Sequence, residues 1–460
     1  MPALPMARIP HILLNAFEMN CVGHINHGLW THPRDRSADY TTLPYWTRLA
    51  STLERGLFDG LFLADIVGVY DVYQGNVDLP LREAIQLPVN DPLMLVSAMA
   101  AVTRHLGFGV TVNLGYEQPY LLARRFSTLD HLSEGRIGWN IVTGYLDSAA
   151  RAMGQAGQAA HDERYDRADE FMEVVYQLWE GSWEDGAVRR DKARRLYADP
   201  ARVHQVRHHG RWFDVEGYHL AEPSPQRTPV LFQAGSSGRG QRFAARHAEC
   251  VFISPPDKVT ARRMVHSLRQ ALVEAGRRPD DVKVLMGTAV VTGATEAEAR
   301  ALHAEYLHHA STEAGLAHFA ASVGVDFARY ELDEPVDYRP GQAIESARAS
   351  AQEHGWTRRK LLQMFALGGR YPAIVGNASQ VADELQSWVV DTGIDGFNLS
   401  RTVVPESHER FVDLVVPELQ HRGLYKTAYA EGTLRHKLHA QGPRLPTRHA
   451  AAAHRRPPRD

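Results

Sequence analysis

Three stretches of this chain carry side chains that can do chemistry together. The first, FEMNCVGHINHGLWTHP (17–33), holds Cys21, His24, His27 and His32 in a glycine-containing loop. Imidazole titrates near neutrality, so His24 is read as a hydrogen-bond partner or proton shuttle. A metal site is the competing reading. The spacing is H-x2-H-x4-H, with no HExxH or CxxC anywhere, and later segments offer Trp-Asn and Gln-Ala-Gly instead of further ligands, so no metal is expected. In the second stretch His161 and Tyr165 stand four apart at a helix start and share one face. Tyr165, Ala168, Met172, Val175 and Trp179 have the spacing of a core-facing stripe. Either Tyr165 is core and His161 a surface cap, or both hydrogen-bond an anion. Asp162 and Glu163 already answer the helix dipole, so an anion there depends on side chains. The third, FQAGSSGRGQRFAARH (232–247), runs strand, Gly235-Ser236-Ser237-Gly238, helix, the layout of a phosphate cradle to which Arg239 or Arg242 can add charge. It reads GxxGxG in mid-chain, not the dinucleotide fingerprint. Asp257 in the place of a ribose-binding acid keeps that fingerprint as a minor alternative, and a plain turn before a helix is the bland one.

These groups need a frame. Short apolar runs at 12–16, 60–64, 107–112, 137–142, 230–233, 251–254, 282–291 and 396–399 alternate with amphipathic segments. That alternation predicts βα units, a parallel sheet and, with eight strands, a closed TIM (β/α)8 barrel with insertions. Asp65 then ends strand 2, Thr111 lies in strand 3 and Asn140 in strand 4, together a polar set at one barrel mouth. Two connections are long, 180–228 with a hairpin-like HHGRWFDVEGYHL and 310–371 with a helical section at 342–365, and both are read as lids or binding loops. The barrel is placed at 8–430. The segment 435–460, rich in Pro, Ala, Arg and His, reads as disordered.

The 460 residues carry a net charge of −3, which gives no field for nucleic acid or an anionic membrane. No apolar run reaches the ~18 residues of a membrane span, and the N-terminal segment lacks signal-peptide character. Cys21 and Cys250 alone do not make a disulfide framework, which fits a reducing cytoplasm.

SEGRIGWNIVTGYLDSAARAMG (133–154) and HDERYDRADEFMEVVYQLWEGSW (161–183) resemble the flavin-binding half of the bacterial luciferase-like flavin-dependent monooxygenases. The branch is that of nitrilotriacetate, dibenzothiophene-sulfone and long-chain alkane monooxygenases. AFEMNCVGHINHGLW, LADIVGVYDVY and EPSPQRTPVLFQAG are most similar to its alkane members. The resemblance implies FMN, reduced by a separate NAD(P)H:flavin reductase, and transfer of one oxygen atom from O2 to a small organic substrate. It implies Asp65, Thr111, His161, Tyr165 and Ser236 as FMN contacts, joined by Asn140 from the strand reading. It implies His24, Tyr70 and His318 around the reaction pocket, with Cys21 beside them. Where alkane members carry a pocket His in this motif, this chain has Tyr145. A homodimer or homotetramer is expected. A hydride-transferring flavin or F420 dehydrogenase on the same barrel, and a non-catalytic flavin-binding protein, are the other readings.

Overall fold

The computed structural model describes residues 11–235, 237–336, 355–367, 369 and 371–456. Eight parallel strands close into a barrel. They are β1 (Leu13–Met19), β2 (Gly60–Ala64), β3 (Gly107–Asn113), β4 (Ile137–Val142), β5 (Val230–Gln233), β6 (Cys250–Ile253), β7 (Lys283–Gly293) and β8 (Gly396–Ser400). Each pairs with its sequence neighbour, and β1 pairs with β8 to complete the ring. All eight predicted strands are present, and the fold is the expected closed (β/α)8 TIM barrel.

Around it lie α1 (Leu43–Arg55), α2 (Leu93–Ala101), α3 (Pro119–Leu132), α4 (His161–Tyr176), α5 (Gly238–His247), α6 (Lys258–Glu274), α7 (Glu296–His309), α8 (Thr312–Val323) and α9 (Ala378–Thr392). Strand periodicity of two sorts each strand's side chains between barrel interior and helix layer. Leu14 and Ala16 face the helices, whereas Phe17 packs inside with Phe62, Phe232 and Phe252. In β4, Trp139 points outward and donates to the Val112 carbonyl at 3.0 Å, leaving Asn140 for the interior. A ninth parallel strand, Ala373–Asn377, which the sequence reading missed, pairs with the far half of β7 and explains that strand's length. Asp257, the candidate ribose acid, is the N-cap of α6, accepting from the Thr260 amide at 2.8 Å.

The two insertions differ. The 180–228 connection leaves the C-terminal end of α4, which points to the floor of the barrel, and forms two hairpins on its flank, Val188–Asp191 with Leu196–Ala198 and Val206–His209 with Asp214–Gly217. Glu170 of α4 accepts from the backbone amides of Arg211, Trp212 and Phe213 in the second hairpin's turn. The hairpin is as predicted, but it is an outer brace and not a lid. The 310–371 connection supplies α8 and the helix Arg358–Met364, which build a second core with Tyr70, Tyr73 and Leu146 from the loops after β2 and β4. Much of its predicted helix at 342–365 lies outside the described residues.

The C-terminal segment is not the disordered tail its composition suggests. Leu434 and Leu438 enter the barrel floor beside Phe62, Val230 and Leu285. Arg435, buried, bonds Glu249 at 2.6 and 2.9 Å and the carbonyls of Thr228 and Pro229. Arg444 and Arg455 both reach buried Glu180 at 2.7 Å, and Arg448 pairs with Asp281. A basic segment reads as solvated until its acidic partners are known, and here the partners are carboxylates at the foot of its own barrel. Burial alone would raise the Glu180 carboxyl, but Arg455 and Arg444 outweigh it and hold it at about 2. The stability this contributes is complete above the carboxyl's usual value near 4.5 and is lost as pH falls toward 2. A chain cut after Gly442 should therefore be less stable at pH 7, and its stability should fall less steeply between pH 4.5 and 2, or rise, in denaturant titrations across that window. An equally steep fall would disprove the coupling.

Candidate functional site

The loop after β1 is fixed by a buried charge cluster. Glu18, with no exposed surface, receives Arg401 at 2.9 Å and lies 2.7 Å from His408 Nε2. The same guanidinium donates to the carbonyls of Cys21 and Val22 at 2.9 and 2.7 Å and to the Tyr45 hydroxyl at 3.1 Å. Asn26 donates to the Arg401 carbonyl at 2.6 Å. Burial works against the charge on Arg401, and Glu18 more than restores it. Within this clamp Ile25 is held at φ 61°, a left-handed conformation that a β-branched residue seldom adopts. Strain of this kind persists only where the surroundings impose it.

His24 follows from that clamp. Its ring meets the edge of Phe17 at 4.6 Å, and it is 2% exposed, with Nδ1 lacking a partner. Burial, then the charge of Arg401, holds its pKa well below the usual histidine value, and His27 is brought to about 3 by the same two causes. The expectation that His24 titrates near neutrality is corrected: both rings are neutral imidazoles across the physiological range. Cys21 is wholly buried, its thiol donating to the Gly23 carbonyl at 3.2 Å, and burial raises it to about 12. His32 turns away to Glu305, Tyr306 and His309. Among the described residues no three His, Cys, Asp or Glu side chains gather to hold a metal ion.

Next on the rim come the ends of β2 to β5. Asp65 is partly buried, and that burial raises its carboxyl to about 7 against a bond from the Ile66 amide. Thr111 and Asn140 are register partners, and Asn140 Nδ2 donates to Thr111 Oγ1 at 2.8 Å. Asn140 Oδ1 and Gln233 Oε1 are buried acceptors without a partner.

At the β5–α5 turn a concave group forms. His161 Nε2 lies 3.2 Å from Ser237 Oγ, while its Nδ1 meets Asp162 at 2.8 Å. Ser237 also caps α5 through the Gly240 amide. A Cβ on Gly235 would stand 2.3 Å from Gln233 Nε2, and one on Gly240 would stand 2.9 Å from the Tyr165 hydroxyl. The absence of side chains at these glycines lets the Gln233 amide and the Tyr165 hydroxyl pack directly against the turn. Tyr165 has its ring in the core and its hydroxyl at the turn. Arg239 is committed to Asp166 and Asp169 at 3.0 and 2.6 Å, so its charge belongs to α4. Ser236 lies outside the described residues.

A polar chain crosses to the insertion. The Tyr145 and Tyr70 hydroxyls are 3.5 Å apart, and Tyr70 donates to Gln86 Oε1 at 2.5 Å. The Tyr70 ring packs on His318 of α8 at 4.7 Å, and His318 Nδ1 lies 3.0 Å from His27 Nε2. Tyr371, at the insertion's end, lies against Phe17 and Phe252 in the barrel, where Gly287 leaves room for its ring. The structure thus brings Tyr70, Tyr145 and His318 together, with His24 nearby in the loop that carries His27, and sets Asp65, Thr111 and Asn140 along the strand ends and His161 and Tyr165 at the glycine turn. Sequence reasoning placed Ser237 in the glycine-serine cradle but did not single out Gln86 or Gln233 as site residues, and it considered His27 only as a metal ligand. The H-x-x-H spacing was the one available signal for His27.

The chain belongs to the luciferase-like monooxygenase family, whose model matches residues 25–396. It is 49% identical over 450 residues to the dimethyl-sulfide monooxygenase of Hyphomicrobium sulfonivorans, covering 96% of this chain and 94% of that protein. It is 50% identical over 447 residues to the long-chain alkane monooxygenase of Geobacillus thermodenitrificans strain NG80-2, covering 96% and 98%. A crystal structure of riboflavin lyase with modified FMN and riboflavin matches with a TM-score of 0.92 at 36% identity, covering 97% of this chain and 100% of that one. The chain is accordingly an oxidoreductase of this family.

Glu18→Gln should leave Arg401 buried without its counter-charge. The expected loss is about 3–5 kcal/mol of unfolding free energy in urea titration. A loss below about 1 kcal/mol would show that the clamp does not depend on the charge pair.

Proposed function

We propose that this chain is the oxygenase of a two-component flavin monooxygenase, fed with reduced FMN by a separate NAD(P)H:flavin reductase and working in the cytoplasm. The observation that carries the reading is the pairing, at one barrel mouth, of a close-packed glycine turn that gathers His161, Tyr165 and Ser237 with an independent polar chain. FMN fits the residues present. Tyr165, His161 and Ser237 offer hydrogen bonds to its phosphate, and the resemblance adds Ser236. The unpaired acceptors on Asn140 and Gln233, with Thr111 and Asp65, suit the polar edge of a flavin ring. When bound, reduced FMN supplies the electron pair with which one atom of O2 goes to the substrate and the other leaves as water.

The chain's own residues do the rest. His24 is a neutral imidazole that holds a hydrogen bond at the reacting centre without bringing a charge there. Tyr70, Tyr145 and His318 line the substrate side, and α8 covers it and excludes water. Tyr145 is the residue to watch for substrate choice, since alkane members resemble this chain around it but carry His. Dimethyl sulfide and long-chain alkanes, the compounds in the names of the two relatives, head the panel to be tried.

The decisive assay supplies FMN, NADH, a generic flavin reductase and ¹⁸O2 to that panel. One ¹⁸O atom per product molecule is expected, with no rapid NADH oxidation when the reductase is omitted. Substrate oxidation without O2 uptake would instead identify a hydride-transferring dehydrogenase.

For the cradle, Tyr165→Phe should weaken FMN by about 1.5–3 kcal/mol, roughly 10- to 100-fold in Kd, in titration calorimetry. Gly240→Ala, whose methyl group meets the Tyr165 hydroxyl, should act in the same direction. Unchanged affinity in both variants would move the phosphate elsewhere.

His24→Ala should leave FMN affinity near that of the parent and lower product formation by about 10²–10³-fold, the cost of losing one hydrogen bond at a reacting centre, with hydrogen peroxide rising in its place. Product and peroxide measured together decide this. Unaltered coupling with a lowered Tm would make His24 a packing residue.

A further inference from the structure

Two imidazoles in hydrogen-bond contact share one proton, and one of the two rings must carry it. His27 and His318 are both buried, with rings 5.2 Å apart and nearly perpendicular, and with His27 Nε2 3.0 Å from His318 Nδ1. One proton lies between these two nitrogens. The other nitrogen of His27, Nδ1, is buried without a partner, walled off by Gly23, where an added Cβ would stand 3.3 Å from it. If His318 donated, the remaining proton of His27 would sit on Nδ1 as a bare buried N–H. If His27 donates, Nδ1 is left as a bare lone pair. Orphaned buried N–H groups are the rarer case and forfeit a full hydrogen bond. The proton therefore belongs to His27 Nε2, His318 Nδ1 accepts it, and His318 keeps its own proton on Nε2.

We infer that His27 is a positioning residue that fixes His318 as its Nε2–H tautomer, so that the insertion presents an N–H donor on the ring nitrogen away from His27. The geometry is held on both sides. The His27 carbonyl accepts from the Ser311 amide at 2.9 Å, just before α8, which fixes the helix carrying His318 to the same loop. On the loop side, Arg401 and Asn26 fix the backbone through the contacts already described. Which nitrogen of a histidine is protonated is set by the bond made at the other, and removing such an orienting partner costs a histidine site about tenfold or more. The catalytic consequence rests on the proposed pocket role of His318, whereas the tautomer assignment does not.

The test uses the full chain without cofactor, labelled with ¹⁵N-histidine, and reads long-range ¹H–¹⁵N correlations, with the His318→Asn spectrum identifying the His318 signals. His318 should show a protonated Nε2 and a bare Nδ1. A proton on Nδ1 would overturn the assignment. In His27→Leu that single pattern should give way to an averaged one, and its persistence would mean that His27 does not fix the ring. Should His27→Leu fail to fold, His27→Gln, whose amide nitrogen reaches the same place, is expected to retain the parent pattern, and a reversed pattern would overturn the inference. With FMN, reductase and the accepted substrate, product per NADH should drop about tenfold in His27→Leu and recover in His27→Gln. A tautomer that changes while coupling stays constant would leave the assignment standing and remove His318 from the reaction pocket.

Discussion

The contact on which the site depends is a buried ion pair between the first and last barrel strands. Glu18 ends up without water, and only Arg401 and His408 make that tolerable. Arg401 in turn spends its remaining donors on two backbone carbonyls of the loop after β1. A buried charge pair is a weak source of net stability, because desolvation consumes most of the attraction. What it provides here is position. It sets where the β1 loop can lie, and the loop sets where His24 and His27 can lie. The same positive charge, close to both rings and screened by little water, helps keep them neutral. One interaction thus fixes the geometry of the groups at the mouth and adds to the burial that keeps the two rings neutral.

Much of this was legible in the sequence. Eight apolar runs with turns between them have few ways to bury their faces other than a parallel barrel, and Asn140 was read in strand 4 as part of a polar set, where the structure pairs it with Thr111. The Gly235–Gly238 turn was read as a place of close backbone approach to an anion, and in the structure it is the Gln233 and Tyr165 side chains that approach Gly235. Other features were not legible, for identifiable reasons. The strand Ala373–Asn377 pairs only with the overhang of a longer neighbour, which no local pattern marks. The basic C-terminal segment looked solvated because its partners Glu249, Asp281 and Glu180 are distant in sequence and become buried only on folding. Arg239 looked free for an anion because Asp166 and Asp169 sit on another helix. His24 looked like a titrating group because burial and the charge of Arg401 belong to the fold and not to the loop. Long-range charge pairing is the element that composition and periodicity do not encode.

The two insertions show how similar sequence signals separate in space. Both are long and aromatic-rich. The 180–228 hairpins start from the floor-side end of α4 and brace the outside of the helix layer. The 310–371 segment starts beside the loop after β1, where the Ser311 amide donates to the His27 carbonyl. There it builds a core of its own with Tyr70, Tyr73 and Leu146, elements that also carry the polar chain. The insertion and the loops after β2 and β4 are one packed unit, and a change in either is felt by both.

Glu18 and Arg401 stand 383 residues apart, and the floor of the barrel waits for Leu434 and Arg435. During synthesis at about 5–20 residues per second, the carboxylate that anchors the mouth emerges roughly 20–80 s before its guanidinium partner. For that interval β1 has an unpaired edge, the two imidazoles have no defined place, and the interior phenylalanines face an open floor. The nascent chain must be kept from other chains through this period, and the ring closes in a late step that joins both ends of the sequence. Circular permutants that bring residues 396–456 ahead of residue 13 would make the same molecule with its slowest-arriving partners delivered first.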